Sequence, residues 1–480
     1  MRASIFPWGL QADRIDMSNK PKIGLFVTGF LEDEYNKTGY LRPKFIDTTK
    51  DLAKTLSAYG EIVDPGFIEY EPDAERAAHM FNAASVDLIV VVALAYQTGT
   101  VPARMFLNTR APILVWNTQH VRHFPEDANF DVIMLNSGMC GLPELTNGLL
   151  RAGRSFRMIT SHVADSKGLS RIGDYANAAG VVSQLKNARI GIIGHSYAGM
   201  TDLMIDQYSL RHRVGPVCLP IEPEKVAVAA AEISAESVKA IINEEKRRYH
   251  TETLPSETFE RSIRLALALE KVVKDNDLNG LATFEQAWLT DSRVGIVANY
   301  GAGRLSSLGV PSVPEGDVAT AVSMLVLQGL TGQSTIMENY VMDFDNNTIM
   351  LSHDGTGNPA LATSPSEVSI KPSIYYRGVN GFGAAFEFAY APGDVTLLSL
   401  ILLENGQWRF IAAEGESLPM KPRPLSAPQM TFRHSSGSLE EYCDQWCSAG
   451  ASHHMALAYG KLANKVRRIG ELLDIEVVTV

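Results

Sequence analysis

Glu315, Glu338, His353, His453 and His454 are the residues of this chain best suited to chemistry. Each lies in or beside an apolar segment, where an ionisable side chain is costly unless something compensates it. Glu315 stands in the run Pro314, Glu315, Gly316, Asp317, and Glu338 in Met337, Glu338, Asn339. His353 lies between Ser352 and Asp354, and the histidine pair follows Gly450, Ala451 and Ser452. Carboxylates and imidazoles together suit a hard-to-borderline divalent cation, with room left for a substrate. Singly, each has a plainer reading. Asp317 can cap the helix that starts at Val318, with Glu315 a solvated loop acid. His353 can be a structural strand-end histidine, and two adjacent histidines say little by themselves. Glu338 resists this treatment. Strand alternation puts Ile336, Glu338 and Tyr340 on one face, so an acid there meets either water or a ligand.

The elements that must position these residues follow a clear order. From residue 22, β-branched runs at 23–27, 88–94 and 113–116 alternate with helical patterns at 40–59, 73–84 and 104–107. A strand near 158–161 and a helix over 172–185 complete the first set. Continuous apolar strands between amphipathic helices predict a parallel sheet covered on both faces. A second such set starts at 189–193 and runs through a strand at 280–284 to a helix over 318–330, just after Glu315. Beyond Gly332 the texture changes. Segments 335–341 and 348–352 flank Asp345, Asn346 and Asn347, a hairpin signal. Further strands are expected at 368–376, 384–388, 395–403 and 408–414, then helices around 439–447 and 461–473 and a last strand at 475–478. The expected fold class is therefore α/β: two doubly wound parallel-sheet domains (21–186 and 187–332) and a mostly antiparallel β domain (333–480). Residues 1–20 read as an N-terminal extension, with an alternative start at Met17. The histidine pair reads as part of a loop between helices.

Composition narrows the function. At 480 residues the chain is too long for a single core. A net charge of −11 argues against a nucleic-acid binder, which would carry a basic stripe. No apolar run approaches the ~18–20 residues that span a bilayer. The four cysteines are scattered and complete no zinc motif, which suits buried free thiols in a reducing cytoplasm.

One motif competes with the metal reading. Gly194, His195, Ser196, Tyr197, Ala198 and Gly199 follow an expected strand and look like the nucleophile elbow of α/β-hydrolases, with Ala198 in the last glycine position. An elbow serine needs an Asp and a His on later loops. The helix-rich stretch behind Ser196 offers no obvious pair, so a glycine-rich turn lining a cleft is the better reading.

In order, the Glu315 run, the Glu338 run, Ser352 with His353, and Gly450 to His454 before a final helix and strand resemble the L-arabinose/L-fucose isomerase superfamily. The segments Trp116 to Gln119 and Leu135 to Ser137 look like that family's first-domain loops. The resemblance implies an aldose–ketose isomerase using Mn²⁺ or a similar divalent cation. It makes Glu315, Glu338 and His454 metal ligands, with His353 a fourth as in arabinose-type members. It leaves His453, Gln119 and Ser137 to contact substrate. It also implies a small-molecule sugar as partner and a homohexamer or homotrimer. The chain departs from long arabinose isomerases in the loop Thr28 to Glu32 and at Ser137, where a sugar-contacting Gln is expected.

Such a reaction moves hydrogen between C1 and C2 through an ene-diolate, with a cation polarising the carbonyl and a carboxylate pair moving protons. Glu315 and Glu338 are the expected acid/base pair. Two alternatives stand beside this reading: a sugar-binding or sensor protein on the same fold, and a serine hydrolase using Ser196.

Overall fold

The computed structural model describes residues 20–29 and 39–480. The expected N-terminal extension and the loop residues Phe30, Leu31 and Glu32 lie outside them. The chain forms two compact units, one ending at Ser183 and the other running Gln184–Val480.

In the first unit a parallel sheet runs Glu61–Val63, Lys22–Thr28, Leu88–Ala93, Ile113–Asn117, Phe156–Thr160, with Phe67–Ile68 also paired to Lys22–Thr28. Leu88–Ala93 is buried at every position, as its unbroken apolar run requires. The helix Gly138–Arg151 was not expected, because its glycines and Pro143 depress helix propensity. The structure supplies the reason for two of them. A Cβ at Gly138 would sit 1.9 Å from Ala93 O and one at Gly141 2.9 Å from Gln97 N, so close packing on the central strand demands glycine there.

The second unit opens with a four-stranded parallel sheet in the order Ser312–Val313, Gly280–Thr283, Arg189–Ile193, Val217–Ile221. Its helices include Ser256–Asp275, which the sequence pattern predicts, and the buried Asn299–Ser307, which it does not. Arg304 explains how that polar helix is buried. Its guanidinium pairs with Glu245 and Glu270 at 2.7 Å each, which compensates the desolvated charge.

The remaining strands form one mostly antiparallel sheet of nine. Pro428–His434 pairs both with Thr348–Ser352 and with Trp408–Leu418, so six antiparallel strands close into a ring. This confirms the α/β class with two parallel sheets and a β-rich C-terminal part. Two details correct the sequence reading. Pro428–His434 is a strand where none was expected, its opening proline standing at the strand's first position. His454–Tyr459 is a buried strand rather than loop, because pairing on both edges outweighs the helix-favouring Met, Ala and Leu it contains. The cysteines are free but not buried: Cys140 and Cys447 are exposed and the other two intermediate. A thiol is small and weakly polar, so a half-covered strand or helix position accepts it. Among the described residues no helix is long and apolar enough to cross a membrane.

Candidate metal centre

Three elements of the second unit converge on one point. The first is the turn between Ser312–Val313 and the helix Val318–Thr331, at the carboxyl end of a parallel sheet, where open α/β sheets bind ligands. Glu315 takes a left-handed backbone there, φ +59°, which is strained for a residue with a Cβ. Three hydrogen bonds hold it. Glu315 N donates to Glu285 Oε2 at 2.6 Å, Tyr197 N donates to Glu315 O at 2.9 Å, and Gly316 N donates to Thr283 O at 3.2 Å. Gly316 is also left-handed, and a Cβ on it would lie 2.4 Å from His195 O.

The second and third elements are neighbouring strands. Glu338 in Thr335–Asp343 lies opposite Ser352 on one side and His454 on the other. Directly opposed residues share a face, so the register alone brings Glu338 and His454 together. His353 follows Ser352 at the strand end and is 2% exposed.

Around His454 Nε2 stand His353 Nε2 at 3.2 Å, Glu315 Oε2 at 3.4 Å and Glu338 Oε1 at 3.7 Å. His454 Nδ1 lies 3.0 Å from Asp317 Oδ2. An ionised carboxylate only accepts, so Nδ1 carries the hydrogen and Nε2 a lone pair. His353 Nδ1 is 2.8 Å from Asp354 Oδ1, an ion-pair contact outside hydrogen-bond geometry. Two imidazole nitrogens and two carboxylate oxygens therefore gather around His454 Nε2 in a largely buried place, and Glu315 Oε2 has no hydrogen-bond partner. Such a gathering of carboxylates and imidazoles is stabilised by a positive charge, whether a proton on His353 or a bound cation. The donor set, two imidazoles and two carboxylates, fits a divalent cation. Glu315, Glu338, His353 and His454 would hold it, with Asp317 and Asp354 orienting the imidazoles from behind.

Local ionisation reflects the same field. Burial pushes Glu315 up, but His453, His454 and His353 outweigh it and leave the carboxyl below its ordinary range. Burial alone would lower His353, yet Asp354, Glu338 and Glu315 raise it to about 9. Glu285, 2% exposed, is lifted by burial, with Asp354 and Glu315 adding, to about 7. His453 is 35% exposed at the rim, with Nε2 3.9 Å from both Glu315 Oε2 and Glu338 Oε1.

Not all the expected site residues fall in this unit. Gln119 and Ser137 belong to the first unit, where Gln119 Nε2 donates to Val121 O at 2.8 Å and Ser137 Oγ to Met134 O at 3.1 Å. Ser196 lies beside the Glu315 turn, but its Oγ donates to Gly316 O at 3.1 Å and has no imidazole on it among the described residues. The elbow is a packing turn for Glu315. Asp317 does cap its helix, accepting from Thr320 N at 3.0 Å, and its second oxygen holds His454, a role that cap logic does not reveal. Asp202, which accepts from His453, and Glu285 were not anticipated. Their sequence neighbourhoods carry no signal for it.

The proteins to which this chain is similar are sugar isomerases. Residues 333–476 match the family model of the L-arabinose isomerase C-terminal domain. The chain is 22% identical to the L-arabinose isomerase of Shouchella clausii (strain KSM-K16) over 421 residues, 85% of each chain. It is 24% identical to that of Nocardioides sp. (strain ATCC BAA-499 / JS614) over 433 residues, 85% of this chain and 84% of the relative. The sulfoquinovose isomerase of Alkalicoccus urumqiensis is 21% identical over 398 residues, 82% of this chain and 86% of the relative. The resemblance read from the motifs is thus a relationship to L-arabinose isomerases over most of the chain.

Proposed function

We propose that the protein is a divalent-metal-dependent aldose–ketose isomerase acting on a free pentose, hexose or related sugar. One observation carries this reading: Glu315 Oε2, Glu338 Oε1 and His353 Nε2 all lie within 3.7 Å of His454 Nε2. A cation held by these four, with Mn²⁺ the expected ion, supplies Lewis-acid polarisation of a carbonyl and the adjacent hydroxyl.

The chain's own groups supply the rest. Glu315, kept ionised by the neighbouring imidazoles, is disposed to accept the proton that leaves C2. Glu338 is the second carboxylate and returns a proton at C1. In the reverse reaction the two exchange roles. His453, with Nε2 3.9 Å from an oxygen of each, is placed to bind a sugar hydroxyl. Gln119 and Ser137 are proposed as further substrate contacts by resemblance, in an assembly of three or six copies in the cytoplasm.

The test is a screen of aldoses and ketoses with EDTA-stripped protein, with and without Mn²⁺, watching for the partner sugar. Mn²⁺-dependent interconversion is expected. A wild type that binds no divalent cation, or that binds sugars without converting them, would replace the isomerase by the sugar-binding reading. Ser196, engaged on a backbone carbonyl, gives the hydrolase reading no support.

A further inference from the structure

We propose that Asp202 is a positioning residue of this site, fixing the ring of His453 so that Nε2 faces Glu315 and Glu338. Asp202 lies at the end of the glycine-rich turn that resembles a nucleophile elbow, in the short helix Thr201–Leu203. Its Oδ2 accepts from Ser452 Oγ at 2.8 Å, from His453 N at 3.0 Å and from His453 Nδ1 at 2.6 Å. The first two bonds tether a loop, and any acceptor could provide them. The third adds nothing to a tether. It sets which way the ring points, because Nδ1 must donate to a carboxylate that offers no hydrogen in return. The consequence is visible at the other edge of the ring. His453 Nε2 has no hydrogen-bond partner and stands 3.9 Å from both Glu315 Oε2 and Glu338 Oε1.

The same turn also grips Glu315. Tyr197 N donates to Glu315 O, and Ser196 Oγ donates to the neighbouring Gly316 O. Met200 N bonds back to Tyr197 O and Leu203 N to Met200 O, which carries the chain in two tight turns from Tyr197, bonded to Glu315, to Asp202. One short segment therefore sets the position of a proposed ligand and of a proposed substrate contact relative to each other. Holding such groups in productive register is what a supporting contact contributes to catalysis.

Only the kinetic part of the test rests on the isomerase reading. Asp202→Asn, His453→Ala and the double variant are compared for Mn²⁺ affinity by calorimetry, for kcat and KM, and by a crystal structure of Asp202→Asn. Asp202 touches none of the four proposed ligands, so Mn²⁺ affinity stays at the wild-type value. Turnover falls roughly 10–100-fold, the range for losing the outer partner of a site histidine. In the His453→Ala background Asp202→Asn costs nothing further, because its effect passes through that ring. The Asp202→Asn structure shows the imidazole turned from the carboxylates. Equal losses in both backgrounds would mark Asp202 as a plain structural tether and overturn the inference, as would an unmoved ring with wild-type kcat. If the wild type converts no sugar, the isomerase reading falls, and the ring position in the Asp202→Asn structure then decides alone: displaced supports the inference, unmoved overturns it.

Discussion

Asp317→Asn separates two roles that one buried side chain now performs. In the wild type, Oδ1 accepts from Thr320 N at 3.0 Å and Oδ2 stands 3.0 Å from His454 Nδ1. Asparagine has one oxygen. Asn caps helices about as well as Asp, so that oxygen goes to Thr320 and the amide NH₂ turns toward His454. The ring must then accept at Nδ1 and carry its hydrogen on Nε2, the atom around which the other three donors gather. A cation loses a ligand and gains a misplaced hydrogen. The expected loss of Mn²⁺ affinity is roughly 10–100-fold, or about 1.4–2.8 kcal/mol. Asp317→Ala imposes no wrong tautomer and binds Mn²⁺ no worse than Asn, but it removes the cap at a cost of about 1 kcal/mol. The two variants should therefore rank in opposite orders: Asn the weaker in Mn²⁺ calorimetry, Ala the lower in thermal midpoint of the stripped protein by roughly 2–4 °C. Wild-type Mn²⁺ affinity in Asp317→Asn would refute the tautomer argument. A midpoint for Asn as low as that for Ala would refute the cap argument.

Other consequences can be checked separately. Glu315→Gln and Glu338→Gln should each lower turnover by at least ~100-fold in a Mn²⁺-supplemented sugar assay, since each removes a cation donor and a proton carrier together. Ser196→Ala should keep turnover near wild type and lose only about 0.5–1.5 kcal/mol of stability, and the wild type should resist a fluorophosphonate probe. Glu285 carries a pH signature. Its folded-state pKa is raised by burial to about 7 from an ordinary 4.5, so its contribution to stability is full below pH 4.5 and is lost as pH rises through 7. In denaturation of the stripped protein, Glu285→Gln should therefore flatten the fall in stability between pH 4.5 and 7, a difference of order ~3 kcal/mol at most. An unchanged pH slope would show that Glu285 is ionised in the fold.

What could be read from the sequence was the set of groups that chemistry requires, together with local order. Glu315 and Asp317 sit two residues apart at a strand-to-helix turn, and the Asn-rich hairpin sets Glu338 opposite Ser352, so His353 lands nearby. These relations span a few residues, and turn chemistry or strand period determines them. The strand His454–Tyr459 escaped because its composition favours helix, and only its pairing on both edges makes it extended. That same pairing puts His454 opposite Glu338, so the step that assembles the site is tertiary and leaves no local mark. The orienting acids escaped for a related reason. Asp202 and His453 are separated by 251 positions, and any acid on any nearby loop could have done the work. Ser196 errs in the opposite direction, for its local pattern is that of a nucleophile while its hydroxyl is occupied by Gly316 O. A ligand must be of a particular type, so type and order expose it. A holder need only be an acceptor in the right place, and place is a property of the fold. The residues that tune such a site are therefore sought from the second nitrogen of each histidine outward, which leads from His454 to Asp317, from His353 to Asp354 and from His453 to Asp202.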